Sequence, residues 1–212
     1  MLSHVNRTRQ AKVVTIEDPI EFLHKDNRSV VVQRELGSDT KSFAHALRAA
    51  MRQDPDIIMV GEMRDMETID IALKAAETGH LVFSTVHTTD AVKTISRLIG
   101  VFPPGEQAGV RMRLAETLRG VISQRLISRK DGQGRIAAVE VMRNTAAIEE
   151  IILDPSRTSE IRDLIAEGRS QYGMQTFDQH LTELYRADLI SVEAAKAAAT
   201  SPADFERNLE FQ

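Results

Sequence analysis

Three short stretches of this 212-residue chain carry side chains that could do chemistry. The first is EDPIE, where Glu17, Asp18 and Glu21 fall within five residues. Carboxylates so close repel one another unless a cation or a basic group sits among them. The second is Glu62, which follows the apolar run IIMVG within DPDIIMVGEMRD, residues 54–65. A lone carboxylate there can hold a Mg²⁺-bound water or orient an attacking one. The third is His87, in STVHTTD, with Thr85 and Thr88 beside it; together they can donate hydrogen bonds to a phosphate oxygen. His80 and His87 bracket a strand seven residues apart, which puts them on the order of 20 Å from each other in extended chain, so one metal cannot take both. Taken singly, each stretch has a plainer reading: a solvated acidic turn, a capping glutamate, a structural histidine.

The elements that must position these groups read as alternating strands and helices. Residues 12–16 (KVVTI) form a β-branched strand stopped by Pro19, and residues 57–60 form a continuous apolar run of the kind buried on both faces of a parallel sheet. Residues 81–86 make a third strand. Each ends in one of the polar clusters, and open α/β sheets bind ligands outside the carboxyl ends of their strands. Between them, helices are expected from Asp39 or Thr40 to Met51, over 66–78 with Gly79 as the C-cap, and from Asp90 onward with Arg97 turned outward. Residues 22–37 read as a short strand pair, 105–124 as one long amphipathic helix, and residues 130–134 (KDGQG) as a hairpin turn. From Thr145 the chain becomes helical, near 145–153, 158–168, 175–187, 191–199 and 202–209. The expected fold class is thus α/β, with a core over residues 1–144 and a small helical region over 145–212. Residues 1–10 read as the tail of a helix.

The bulk numbers exclude several classes. Hydrophobic content of 42% and charged content of 27% are those of a globular protein, and no apolar run reaches membrane-spanning length. A net charge of −4 argues against a free-standing nucleic-acid binder. Without cysteine there is no disulfide framework and no thiolate metal site.

Taken together and in order, TIEDPIEF, DPDIIMVGEMRD and GHLVFSTVHTTDA resemble the Asp box, Walker B segment and His box of the secretion ATPase superfamily, which powers type II secretion and type IV pili. GEMRD, the lack of a tetracysteine insert, and GMQTFDQHLTELYRADLI at residues 173–190 look most like the PilT-type pilus retraction ATPases. AIEEII at residues 147–152 sits where that group carries AIRNLI and departs from it in the middle letters. The resemblance implies a RecA-like P-loop NTPase core that binds ATP with Mg²⁺. It implies Glu21 as the base for water, Glu62 as the Walker B carboxylate near Mg²⁺ through water, and His87 as the γ-phosphate sensor. Glu17, Asp18, Thr85, Thr88 and Arg97 are implied in nucleotide binding. It further implies a cytoplasmic hexameric ring, peripheral at the inner membrane through a pilus platform protein. Assembly or secretion relatives, and a non-catalytic ring component, are the alternative readings.

The chain contains no G-x-x-x-x-G-K-[ST], the phosphate loop that in the family precedes the first helix. The expectation is therefore of a C-terminal part of a retraction ATPase, truncated after that loop and without the N-terminal domain. Such a part should bind ATP weakly or not at all, since the loop's amides and lysine make most of the favourable phosphate contacts, and should be mainly monomeric without the N-terminal domain that in the family packs against the neighbouring subunit.

Overall fold

The computed structural model describes residues 1–210. Contacts divide the chain into two compact units, one of residues 1–87 with 101–103, the other of residues 88–100 and the chain from 104 onward. The 144/145 junction expected from composition lies within the second unit.

The first unit is built on four parallel strands in the order β2-β1-β3-β4: β1 Lys12–Glu17, β2 Val30–Glu35, β3 Ile57–Val60 and β4 Leu81–Ser84. Register sets its two faces. Val13, Ile57 and Leu81 are aligned across β1, β3 and β4, as are Val14, Ile58 and Val82. The first set packs against the opening helix, α1 (Leu2–Thr8), through Leu2 and Val5. The other face, with Ile16, Ile58 and Val60, is covered by α2 (Phe43–Met51) and α3 (Met66–Glu77) through Leu47, Ala72 and Ala75. Burial on both sides is why β3 reads as an unbroken apolar run.

The second unit opens with α4 (Ala91–Gly100) and α5 (Gln107–Thr117), followed by an antiparallel hairpin of β5 (Gly120–Ser128) and β6 (Arg135–Arg143). Its turn uses Gly132 and Gly134 at φ +71° and +77°, a region open to glycine and strained for other residues. Beyond it come α6 (Ala146–Leu153), a 3₁₀ turn (Pro155–Glu160), α7 (Ile161–Glu167), α8 (Arg169–Tyr172), α9 (Phe177–Arg186), α10 (Val192–Ala198) and α11 (Pro202–Glu210). Phe177, Leu181, Leu184 and Ile190 pack on Ile127 and Ala138 of the hairpin.

Three sequence expectations are corrected. Residues 22–37 hold one strand, β2, and it runs parallel to β1; what precedes it is a loop tied down by polar side chains. α2 is capped by Ser42, whose Oγ accepts from the His45 amide at 3.1 Å, because Asp39 is engaged by the Glu35 amide at 2.8 Å. The long helix over 105–124 ends at Thr117, and the chain from Gly120 is strand.

Candidate functional site

Because β1, β3 and β4 are adjacent and parallel, their carboxyl ends share one edge of the sheet. At the end of β1, Glu17 turns inward: Oε1 accepts from Thr15 Oγ1 at 2.6 Å and from Gln33 Nε2 at 2.9 Å. The chain then leaves the sheet through the cis Asp18–Pro19 bond. Two side chains of β2 hold the loop that follows. Glu35 Oε2 accepts from the Ile20 amide at 3.0 Å, and Gln33 Nε2 donates to the Phe22 carbonyl at 2.9 Å. The backbone is thus fixed on both sides of Glu21 while the Glu21 side chain, like that of Asp18, is exposed.

Past β3, the ladder continues for one residue, with the Gly61 amide donating to the Ile16 carbonyl at 2.7 Å. Thr85 Oγ1 donates to the Gly61 carbonyl, and the Met63 amide donates to the Thr85 carbonyl at 3.2 Å. These bonds bring the segment after β4 back over Glu62. Glu62 Oε2 meets Arg64 Nη2 at 2.7 Å and His87 Nε2 at 3.5 Å. The Glu62 side chain is 18% exposed and that of His87 68%, so a half-sheltered carboxylate faces a solvent-accessible imidazole. Such an arrangement can orient water with the carboxylate and offer an N–H to an anion arriving from solvent.

The family model for type II/IV secretion system proteins matches residues 1–209. The chain belongs to that family. A twitching motility protein of Neisseria gonorrhoeae is 49% identical over 199 residues, covering 94% of this chain and 53% of that protein. The type IV pilus retraction ATPase PilT of Pseudomonas aeruginosa is 51% identical over 205 residues, 97% of this chain and 59% of its own length. A crystal structure of the pilus retraction motor PilT with bound ADP superposes with a TM-score of 0.86 at 46% identity, covering 98% of this chain and 58% of that one. The chain therefore spans between half and three fifths of the relatives it matches.

In this member of the type II/IV secretion system family, Glu17 and Asp18 lie at the end of β1, Glu62 follows β3, and Thr85 and His87 follow β4, with Glu62 and His87 in contact and Glu21 in the loop tied to β2. Thr88 and Arg97 belong to the second unit, where Thr88 Oγ1 lies 2.6 Å from Thr94 Oγ1 and Arg97 is exposed in the last turn of α4. Sequence reasoning missed Arg64, although its place two residues after Glu62 in extended chain puts the two on one side. It also missed Gln33 and Glu35, whose roles rest on tertiary contact alone. No helix among the described residues is long and apolar enough to cross a membrane.

Gly61 itself is under constraint. A Cβ there would sit 3.1 Å from the Ile16 carbonyl oxygen and 3.4 Å from Glu17 Cα. That carbonyl lies in the middle of the sheet and cannot yield without spoiling the β1–β3 ladder. Gly61→Ala should cost about 1–3 kcal/mol. Thermal melting of the purified chain checks this, and an unchanged midpoint would show that the strand ends can move apart freely.

Proposed function

We propose that this chain is the nucleotide-hydrolysing part of an ATP-driven motor subunit for type IV pilus retraction, and so for twitching motility. The observation that carries the reading is the delivery of the three polar clusters to one edge by adjacent parallel strands, with Glu62 and His87 in contact. The retraction ATPase at 51% identity supports the choice of system. In this reading Glu21 accepts a proton from the attacking water, on a backbone already held by Gln33 and Glu35. His87 donates to the γ-phosphate, and Thr85 keeps the His87 segment over Glu62. Asp18, Thr88 and Arg97 act as further nucleotide contacts, and Glu17 acts as the buried support of the loop.

The donor set suits magnesium bound with a nucleotide rather than a metal caged by protein. Among the described residues no group of three or more His, Asp or Glu side chains is gathered to hold an ion, and Mg²⁺ characteristically keeps several waters and needs only one or two carboxylates beside phosphate oxygens. Glu62 would hold it through water, with Arg64 the cation to be displaced. The chemistry such an ion would supply beside Glu62 is neutralisation of charge on the phosphate oxygens. The same reading includes a hexameric ring, cytoplasmic and docked at the inner membrane on the pilus platform protein.

Complementation tests it. A chimera in which the amino-terminal half of the P. aeruginosa retraction ATPase precedes this chain should restore twitching to a strain lacking that ATPase. With His87→Ala, the chimera should lose its preference for ATP over ADP by about tenfold or more, the loss of one hydrogen bond to a charged phosphate oxygen, while ADP affinity holds. A folded, ATP-hydrolysing chimera that leaves the strain immotile would remove the pilus assignment. Intact ATP preference with a lowered melting temperature would make His87 structural.

A further inference from the structure

Glu140 lies on β6 and is 6% exposed, yet it is ionisable and far in sequence from all three clusters. Its Oε1 accepts from the Ala91 amide at 2.8 Å, a contact across 49 residues. Ala91 is the first residue of α4, the helix entered directly from His87-Thr88-Thr89-Asp90. The first amides of a helix have no partner within it, and its amino end favours negative charge. Asp90 Oδ1 already takes the Lys93 amide at 2.8 Å, so the helix start holds two carboxylates with different jobs. Asp90 caps from within the local chain, whereas Glu140 ties the helix to the hairpin. Thr88 joins the same entry through Thr94, whose Oγ1 also donates to the Asp90 carbonyl at 2.9 Å.

A buried carboxylate is costly where an apolar side chain of similar volume would pack. The cations nearest Glu140 are engaged elsewhere. Arg125 stacks 3.8 Å above the Phe177 ring and donates to the Ala198 carbonyl at 2.6 Å, and Arg162 pairs with Asp178 at 2.6 Å. The other flank carries His180, whose Nδ1 accepts from the Val139 amide at 2.9 Å. The described partner that fits a carboxylate at this position is the amide at the start of α4.

We propose that Glu140 is a positioning residue that fixes the entry to α4, and through it the path of the chain leaving His87. The functional weight of this rests on the reading of His87 as a phosphate sensor; the positioning itself does not. Burial pushes the Glu140 carboxyl above the ordinary glutamate range, the Ala91 amide pulls it back, and Asp90 raises it against the weaker pull of Arg125 and Arg162. A folded carboxyl that holds its proton more tightly than the unfolded one contributes stability that is complete below the unfolded value. That contribution is lost as pH rises through the raised folded value.

The test uses the 212-residue chain without nucleotide, so its outcome is independent of whether His87 senses phosphate. Glu140→Leu keeps the volume and removes the acceptor; Glu140→Gln keeps the acceptor and removes the charge. In Glu140→Leu, amide exchange at Ala91 should quicken about tenfold and the His87 ring resonances should shift. Glu140→Gln should restore both. In the native chain the Ala91 amide resonance should titrate with a midpoint above that of an ordinary glutamate, and Glu140→Gln should abolish that step. Unmoved His87 resonances in Glu140→Leu would overturn the proposal. Should that variant fail to fold, persistence in Glu140→Gln of the step with the raised midpoint overturns it equally, because a group other than Glu140 would then be acting on the helix entry.

Discussion

Glu21→Gln in the chimera should lower turnover by about 10²-fold or more while nucleotide affinity stays within about twofold, the signature of a lost proton acceptor. The amide keeps the size of the side chain and most of its hydrogen bonding but cannot take the proton of water. The backbone bonds at Ile20 and Phe22 do not involve the Glu21 side chain, so the loop should keep its shape in the variant. Steady-state hydrolysis and calorimetric binding on the same preparation separate the two quantities. Equal losses of binding and turnover would make Glu21 a residue that places the nucleotide and would send the search for the base elsewhere on this edge.

Glu62→Ala should be at least as severe in turnover, about 10²–10³-fold, but with a different companion effect. It removes the carboxylate that Arg64 and His87 both face, leaving two side chains whose described partner has gone. Affinity for the nucleotide with magnesium should fall toward that for the nucleotide without it. Binding measured with and without the ion checks this directly. A variant with unchanged magnesium dependence would mean that Glu62 serves the Arg64 pair and nothing else. The Gly61 amide bond to the Ile16 carbonyl at 2.7 Å does not involve the Glu62 side chain, so the strand end should keep its place in the variant.

Much of the first unit could be read from the residues because burial and polarity agree there. β3 is apolar throughout and β1 is apolar where it is buried except at Thr15 and Glu17, which bond to each other, and each cluster follows its strand directly. The hairpin breaks that agreement. Ile122 is 56% exposed and its neighbour Ser123 only 7%, so polarity and burial run opposite along β5. Val110, Leu114, Leu118, Val121 and Ile122 meanwhile recur at helical spacing. The extended turn at Leu118 ends that helix with no glycine or proline at the residue itself to mark it. The site divides in the same way. Glu21, Glu62 and His87 were visible because they follow strands, and the Glu62–His87 contact follows from strand adjacency. Gln33, Glu35 and Glu140 were not: the first two fall in the all-polar second half of β2 and the third among apolar letters of β6, where a polar letter reads as a solvent-facing position. Only the tertiary partners, the Ile20, Phe22 and Ala91 backbone groups, reveal their work.

The clamping of residues 20 and 22 by β2 has a thermodynamic consequence for how the proposed base would come into play. Ordering a mobile loop around a ligand costs about 1–2 kcal/mol for every residue whose backbone is frozen. Here the hydrogen bonds at residues 20 and 22 are made without a ligand, which lowers that cost, and the torsions of the exposed glutamate side chain between them would add up to about 2 kcal/mol. Rotamer exchange at an exposed position takes picoseconds to nanoseconds, whereas loop closure takes far longer. Presentation of this carboxylate would then lie outside the rate-limiting steps of a cycle, and the slow steps would fall to motions of larger bodies.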